Sequence, residues 1–77
     1  MIKAYILVVA NPGATKSVYN ALQKVKGVVE THEVMGPYDI VVEIEVEELA
    51  DVPTILSDHI RSLPGVESTT SLVTFPD

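Results

Sequence analysis

Gly36-Pro37-Tyr38-Asp39 runs straight into Ile40-Val41-Val42-Glu43-Ile44-Glu45-Val46-Glu47. Gly36-Pro37 is a strong break, because glycine accepts turn geometry and proline donates no backbone hydrogen bond. Beyond it, Ile40, Val42, Ile44 and Val46 alternate with Val41, Glu43, Glu45 and Glu47. A period of two marks a strand with one apolar face, and the other face here ends in a row of three carboxylates. Before the break, Val28 to Met35 reads as a second strand. The gap is too short for a crossover, so the two strands pair as an antiparallel hairpin.

Working outward, Ile2, Ala4, Ile6, Val8 and Ala10 alternate with Lys3, Tyr5, Leu7 and Val9, giving a first strand that stops at Asn11-Pro12-Gly13. From about Ala14 the period becomes helical: Val18, Ala21, Leu22 and Val25 form one stripe. Thr15 is the expected N-cap, Lys24 and Lys26 suit the C-terminal end, and Gly27 is the stop. On the far side of the hairpin, Asp51-Val52-Pro53 reads as a helix start. Leu49, Val52, Leu56, Ile60 and Leu63 give its stripe, joined by Ile55, and Pro64-Gly65 closes it. Val66 to Phe75 is a last strand, and Pro76-Asp77 ends the chain.

The order is strand, helix, strand, strand, helix, strand. Shifted by 38 positions, Ile2 meets Ile40, Ile6 meets Ile44, Val8 meets Val46, Gly27 meets Gly65, and Thr31 meets Thr69. Two βαβ halves joined by a hairpin, with right-handed crossovers, define an α+β ferredoxin-like βαββαβ sandwich. The expectation is a four-stranded antiparallel sheet with both helices on one face. The even-numbered residues of strands one and three then face the helices, while Tyr5, Leu7, Val9 and Val41 face outward. A wet apolar patch of that kind favours face-to-face dimerisation into a dimeric α/β barrel.

Size and charge bound the function. The 77 residues make one domain spanning 1–77, and 47% hydrophobic content excludes a disordered tail. So short a chain buries only about 60% of the surface its unfolded form exposes. No cysteine is present to staple it or to supply a thiolate metal site, so homo-oligomerisation is expected. Eleven acidic residues against five basic give a net charge of −6, the wrong sign for gripping nucleic acid or an anionic membrane. The longest apolar run, Ala4 to Ala10, is too short to span a bilayer and has no signal-peptide flanks. A cytoplasmic domain is expected.

Catalytic chemistry is hard to assemble. His32 lies mid-strand, and Glu30 and Glu33, its nearby carboxylates, are set aside as partners because strand neighbours point to opposite faces. His59 lies late on the second helix, beside its apolar stripe. Glu43, Glu45 and Glu47 share a face, but strand residues two apart are about 7 Å apart, too far to chelate one ion alone. No phosphate-binding loop, dinucleotide fingerprint, HExxH or GxSxG motif occurs. No metal and no cofactor are expected. Two spots suit recognition better. Gly36-Pro37-Tyr38-Asp39 offers outward N–H groups for a carboxylate and an anion for an ammonium. Ser68-Thr69-Thr70-Ser71 offers hydroxyls. Taken singly, the first is also a plain hairpin turn and the second an ordinary threonine-rich strand.

Met35-Gly36-Pro37-Tyr38-Asp39-Ile40-Val41-Val42 resembles the Gly-x-Tyr-Asp stretch of the Lrp/AsnC family of transcriptional regulators. Leu63-Pro64-Gly65-Val66, followed by Thr69 and Ser71, resembles that family's closing Leu-Pro-Gly-Val-x-x-Thr-x-Thr segment, with Ser71 in place of the second threonine. The resemblance covers nearly the whole chain. It implies the family's effector-binding (RAM) domain, in which sheets dimerise, dimers build rings such as octamers, and amino acids bind between dimers. The family's N-terminal helix-turn-helix domain is not expected here, because the chain begins at the first strand.

By the same resemblance, ligand-binding residues are Gly36, Pro37, Tyr38, Asp39, Thr69 and Ser71. The Tyr38 N–H would be a carboxylate donor, and Asp39 would hold an ammonium or order the loop. Proline at 37 lacks one donor that other members have there. Partners are then a small-molecule effector, further copies of the chain, and full-length regulators of the family; enzymatic activity is not expected. The competing readings are a small dimeric α/β-barrel enzyme of the monooxygenase or isomerase type using His32, Tyr5 or Tyr38, an ACT-like regulatory domain, and a structural oligomeriser without ligand.

Overall fold

The computed structural model describes residues 1–75; the Pro76-Asp77 break lies outside the described residues. Strand β1 (Ile2–Ala10) leads into helix α1 (Thr15–Leu22), then β2 (Val28–Glu33), β3 (Ile40–Val46), α2 (Asp51–Ile55) and β4 (Val66–Val73). A π-helical turn, Leu56–Ile60, continues α2. The sheet is antiparallel in the order β2-β3-β1-β4, as expected of a ferredoxin-like sandwich.

Alternation decides which face is dry. Ala4, Ile6, Val8 and Ala10 of β1 and Ile40, Val42, Ile44 and Val46 of β3 are buried with Val18, Leu22, Val52 and Ile60 from the helical segments. No polar or charged residue is buried with them among the described residues. Each fully buried Ile or Leu contributes about 1.5–3 kcal/mol over leaving it exposed. The helices therefore cover one sheet face, and the 38-residue repeat is visible in the backbone. Gly27 and Gly65 both take positive φ, 99° and 95°. Each is the third residue of the same tight turn, with Val28 N–H donating to Val25 O and Val66 N–H to Leu63 O, both at 3.2 Å. At Gly65 the glycine is required twice over, because a Cβ would lie 2.7 Å from that of Ala14.

Several helix ends differ from expectation. Ala14, not Thr15, is the N-cap, and it makes no side-chain capping bond. Helix α1 stops at Leu22 instead of reaching Lys24 and Lys26. Lys24 N–H donates to Ala21 O and Val25 N–H to Leu22 O, three-residue bonds that tighten the chain before Gly27. Leu49 precedes α2 and is 59% exposed, so it is not part of the stripe. Strand β2 ends at Glu33, not Met35, and β4 ends at Val73, not Phe75.

Candidate functional site

The Gly36–Asp39 loop is exposed at its tip and pinned at its base. Val34 N–H donates to Asp39 O at 2.9 Å, and Asp39 N–H donates to Val8 O at 2.9 Å. Asp39 Oδ2 accepts the Ala10 N–H at 2.8 Å. Ala10 runs past the end of β3, so on that side it has lost a ladder partner, and the carboxylate takes its place. Gly36 sits at φ 149° with open space where a Cβ would be. The Tyr38 N–H has no backbone acceptor among the described residues. Met35 is fully exposed, and Tyr38 and Asp39 are half-buried.

Thr69 and Ser71 stand apart from this loop. Val8 pairs with Ile40 on one side and with Thr69 on the other. Thr69 is therefore at the same end of the sheet as the loop but two strand spacings away, about 10 Å. Ser71 pairs with Ile6, a further two residues along β4. Both share the helix-covered side with Ile6 and Val8, so one protomer does not bring these hydroxyls together with Asp39.

The open sheet face carries Tyr5, Leu7, Val9 and Val41, all half-buried. Register adds Leu72, opposite Tyr5 and 53% exposed, which the sequence alone did not single out. An acidic margin flanks the patch. Glu30 lies opposite Glu43, and Glu43 forms an ion pair with Lys3 at 3.6 Å. The Glu43 carboxylate is the main cause of the Lys3 ammonium titrating above its usual value, with Tyr5 and Glu45 adding to it. His32 Nε2 lies 2.9 Å from Glu30 Oε1. Setting Glu30 aside was therefore mistaken: two positions from His32, it shares its face, as a period of two requires. The pair is exposed, which makes it a surface contact. On the helix side, Lys16 forms an ion pair with Glu33, whose hydrogen bond and charge raise the lysine's pKa.

Sequence reasoning missed a cavity of ≈ 280 Å³ at the far end of β3, bordered by Lys26, Glu45, Asp51 and His59 among others. No periodicity announces it, because its walls come from three separate segments. No cluster of three or more metal-ligating side chains occurs among the described residues. No helix among them is long and apolar enough to cross a membrane.

The family model of the Lrp/AsnC ligand binding domain matches residues 3–76. The chain belongs to this family. The HTH-type transcriptional regulator FL11 of Pyrococcus horikoshii is 37% identical to it over 70 residues, 91% of this chain and 46% of the regulator. The chain thus spans about half the length of the curated relatives it matches. Among solved structures, a Thermus thermophilus protein superposes with TM-score 0.95 at 28% identity, covering 100% of this chain and 96% of that one. A transcriptional regulator of Neisseria meningitidis, solved in complex with L-Met, shares the fold with TM-score 0.86 at 15% identity, covering 99% of this chain and 51% of the regulator. For this Lrp/AsnC ligand binding domain the ACT-like reading is superseded, and the curated relatives are named HTH-type transcriptional regulators.

Proposed function

We propose that this domain senses a small amino acid through the Gly36–Asp39 loop and signals by changing its assembly, not by catalysis. The observation that carries this reading is the loop itself. A family motif is held rigid at its base by three backbone-directed bonds while its tip and the Tyr38 N–H are left without partners. Bonding Ala10 occupies one Asp39 oxygen, so Asp39 chiefly orders the loop, and its second oxygen is available to an ammonium group. The Neisseria relative's L-Met supports the ligand class.

The open face supplies the dimer contact through Tyr5, Leu7, Val9, Val41 and Leu72. Thr69 and Ser71 lie too far from the loop of their own protomer to complete its site. They serve a ligand only where an adjoining dimer brings a second loop to β4. A ligand held between dimers shifts the assembly equilibrium by its differential affinity for the assembled state. The domain works as a unit of residues 1–77, and full-length regulators of the family are its partners by co-assembly.

The test is thermal unfolding of the protein against the standard amino acids at millimolar concentration. A ligand at about 100 times its dissociation constant stabilises by roughly 2.7 kcal/mol, several degrees for a domain of this size. Stabilisation by a few related amino acids that disappears in Asp39→Asn supports the reading. No stabilisation by any of them would leave a structural oligomeriser.

A further inference from the structure

The open sheet face is apolar along much of β1 and acidic where β2 and β3 meet. Glu30 lies directly opposite Glu43 in the register. Positions so related hold their Cβ atoms about 5 Å apart, and like charges there repel. Glu45 shares the face two residues further along β3. Among the described residues of this face, Lys3 is the one permanent cation. It pairs with Glu43 at 3.6 Å and stands opposite Glu45. The Glu43 side chain is only 16% exposed, so water screens its charge poorly.

His32 is a second cation, but a conditional one. Its Nε2 lies 2.9 Å from Glu30 Oε1. It stands opposite Val41, with Glu43 diagonally beyond. The remaining charged and titratable neighbours are otherwise engaged or more distant. Asp39 spends one oxygen on the Ala10 N–H, Glu33 on the helix side pairs with Lys16, and Tyr5 lies a further strand away, opposite Glu43. Histidine alone among side chains ordinarily changes charge between pH 5 and 8. The chain's other histidine, His59, sits on the helical segment that covers the opposite face.

These charges count most when the face is covered. A two-fold contact sets the same patch of two copies together, so each excess negative charge meets its duplicate. Covering the patch also removes the water that screens it. Lys3 answers one carboxylate, which leaves Glu30 to His32. We infer that contact between copies through the open face is gated by His32: protonated, it answers Glu30 and admits the second copy; neutral, it leaves the carboxylates of the two faces to repel. The inference rests on the open-face contact and adds its control by pH. Association then takes up protons. It strengthens as pH falls through histidine's ordinary range, and the gain is lost as pH rises through that range.

The experiment is sedimentation equilibrium of the full chain at about pH 7.5 and about pH 5.5, at constant ionic strength and without amino acids, so that loop sensing is not at stake. Self-association should be about tenfold tighter at the lower pH. His32→Gln, at an exposed position, should abolish most of that difference, and His59→Gln should keep it. Glu30→Gln should tighten association at the higher pH by about threefold or more, because it removes the carboxylate that neutral His32 leaves unanswered. Unchanged far-UV circular dichroism shows that each variant has folded. A pH effect that survives His32→Gln comes from the shrinking net charge of −6 and overturns the inference. So does association that is indifferent to pH or weaker at the lower value. Leu7→Glu separates this inference from the contact on which it rests. If that variant dissociates while pH has no effect, the open-face contact stands and the switch falls. If association is untouched by Leu7→Glu, the contact lies elsewhere and the inference falls with it.

Discussion

Asp39 and Ala10, 29 positions apart, are joined by a hydrogen bond of 2.8 Å from the Ala10 N–H to Asp39 Oδ2. Ala10 is only 6% exposed, so water cannot readily replace the carboxylate. Asp39→Ala leaves a buried donor unsatisfied and should cost about 1–3 kcal/mol. Asp39→Asn keeps an acceptor and loses only the charge assistance, about 1 kcal/mol or less. Urea unfolding of both variants checks this. Equal stability of the two would show that the bond contributes nothing.

Gly65 and Gly13 both have positive φ, 95° and 85°, but only Gly65 is crowded. Gly65→Ala adds a collision with Ala14 and Val18 to the backbone penalty and should cost about 2–4 kcal/mol. Gly13→Ala meets nothing within 4 Å and should cost about 1 kcal/mol. Comparing the two by thermal unfolding separates crowding from backbone strain.

The open sheet face should be the dimer contact. Leu7→Glu places a carboxylate between Val41 on β3 and Thr70 on β4 without touching the helix-packed face. Sedimentation should show self-association weakened about 100-fold or more, shifting the protein toward monomer. Far-UV circular dichroism should be unchanged. An unaltered oligomer would move the contact elsewhere.

Lys3 titrates above its ordinary 10.5, first because of the Glu43 carboxylate. A folded pKa raised above the unfolded one adds stability that is fully present below about pH 10.5 and is lost as pH climbs through the folded value. This pair therefore leaves no pH dependence near neutrality. Glu43→Gln should lower the Lys3 pKa toward 10.5, read from the Lys3 side-chain resonances. Added salt should do the same in the parent protein, because the lysine is exposed.

The strand faces were legible because alternation is a local property: Ile40 to Val46 and Ala4 to Ala10 bury the residues their pattern predicts. Helix ends were less so. The stripe of Leu49 and Val52 runs across the start of α2, and nothing in a periodic pattern says where hydrogen bonding begins. The His32–Glu30 contact needed only the period of two. Leu72 on the open face and the distance of Thr69 from Asp39 needed the register of β4 against β1.

Local sequence thus settled the element order, the dry and open strand faces, and the glycine turns, because side-chain alternation and positive φ depend on a residue and its immediate neighbours. Tertiary structure decided the Asp39–Ala10 bond, the separation of the loop from the β4 hydroxyls, and the cavity beside the π-helical turn. Each of these joins residues from different elements, and their meeting depends on strand order and register, which are set only when the whole sheet packs against its helices.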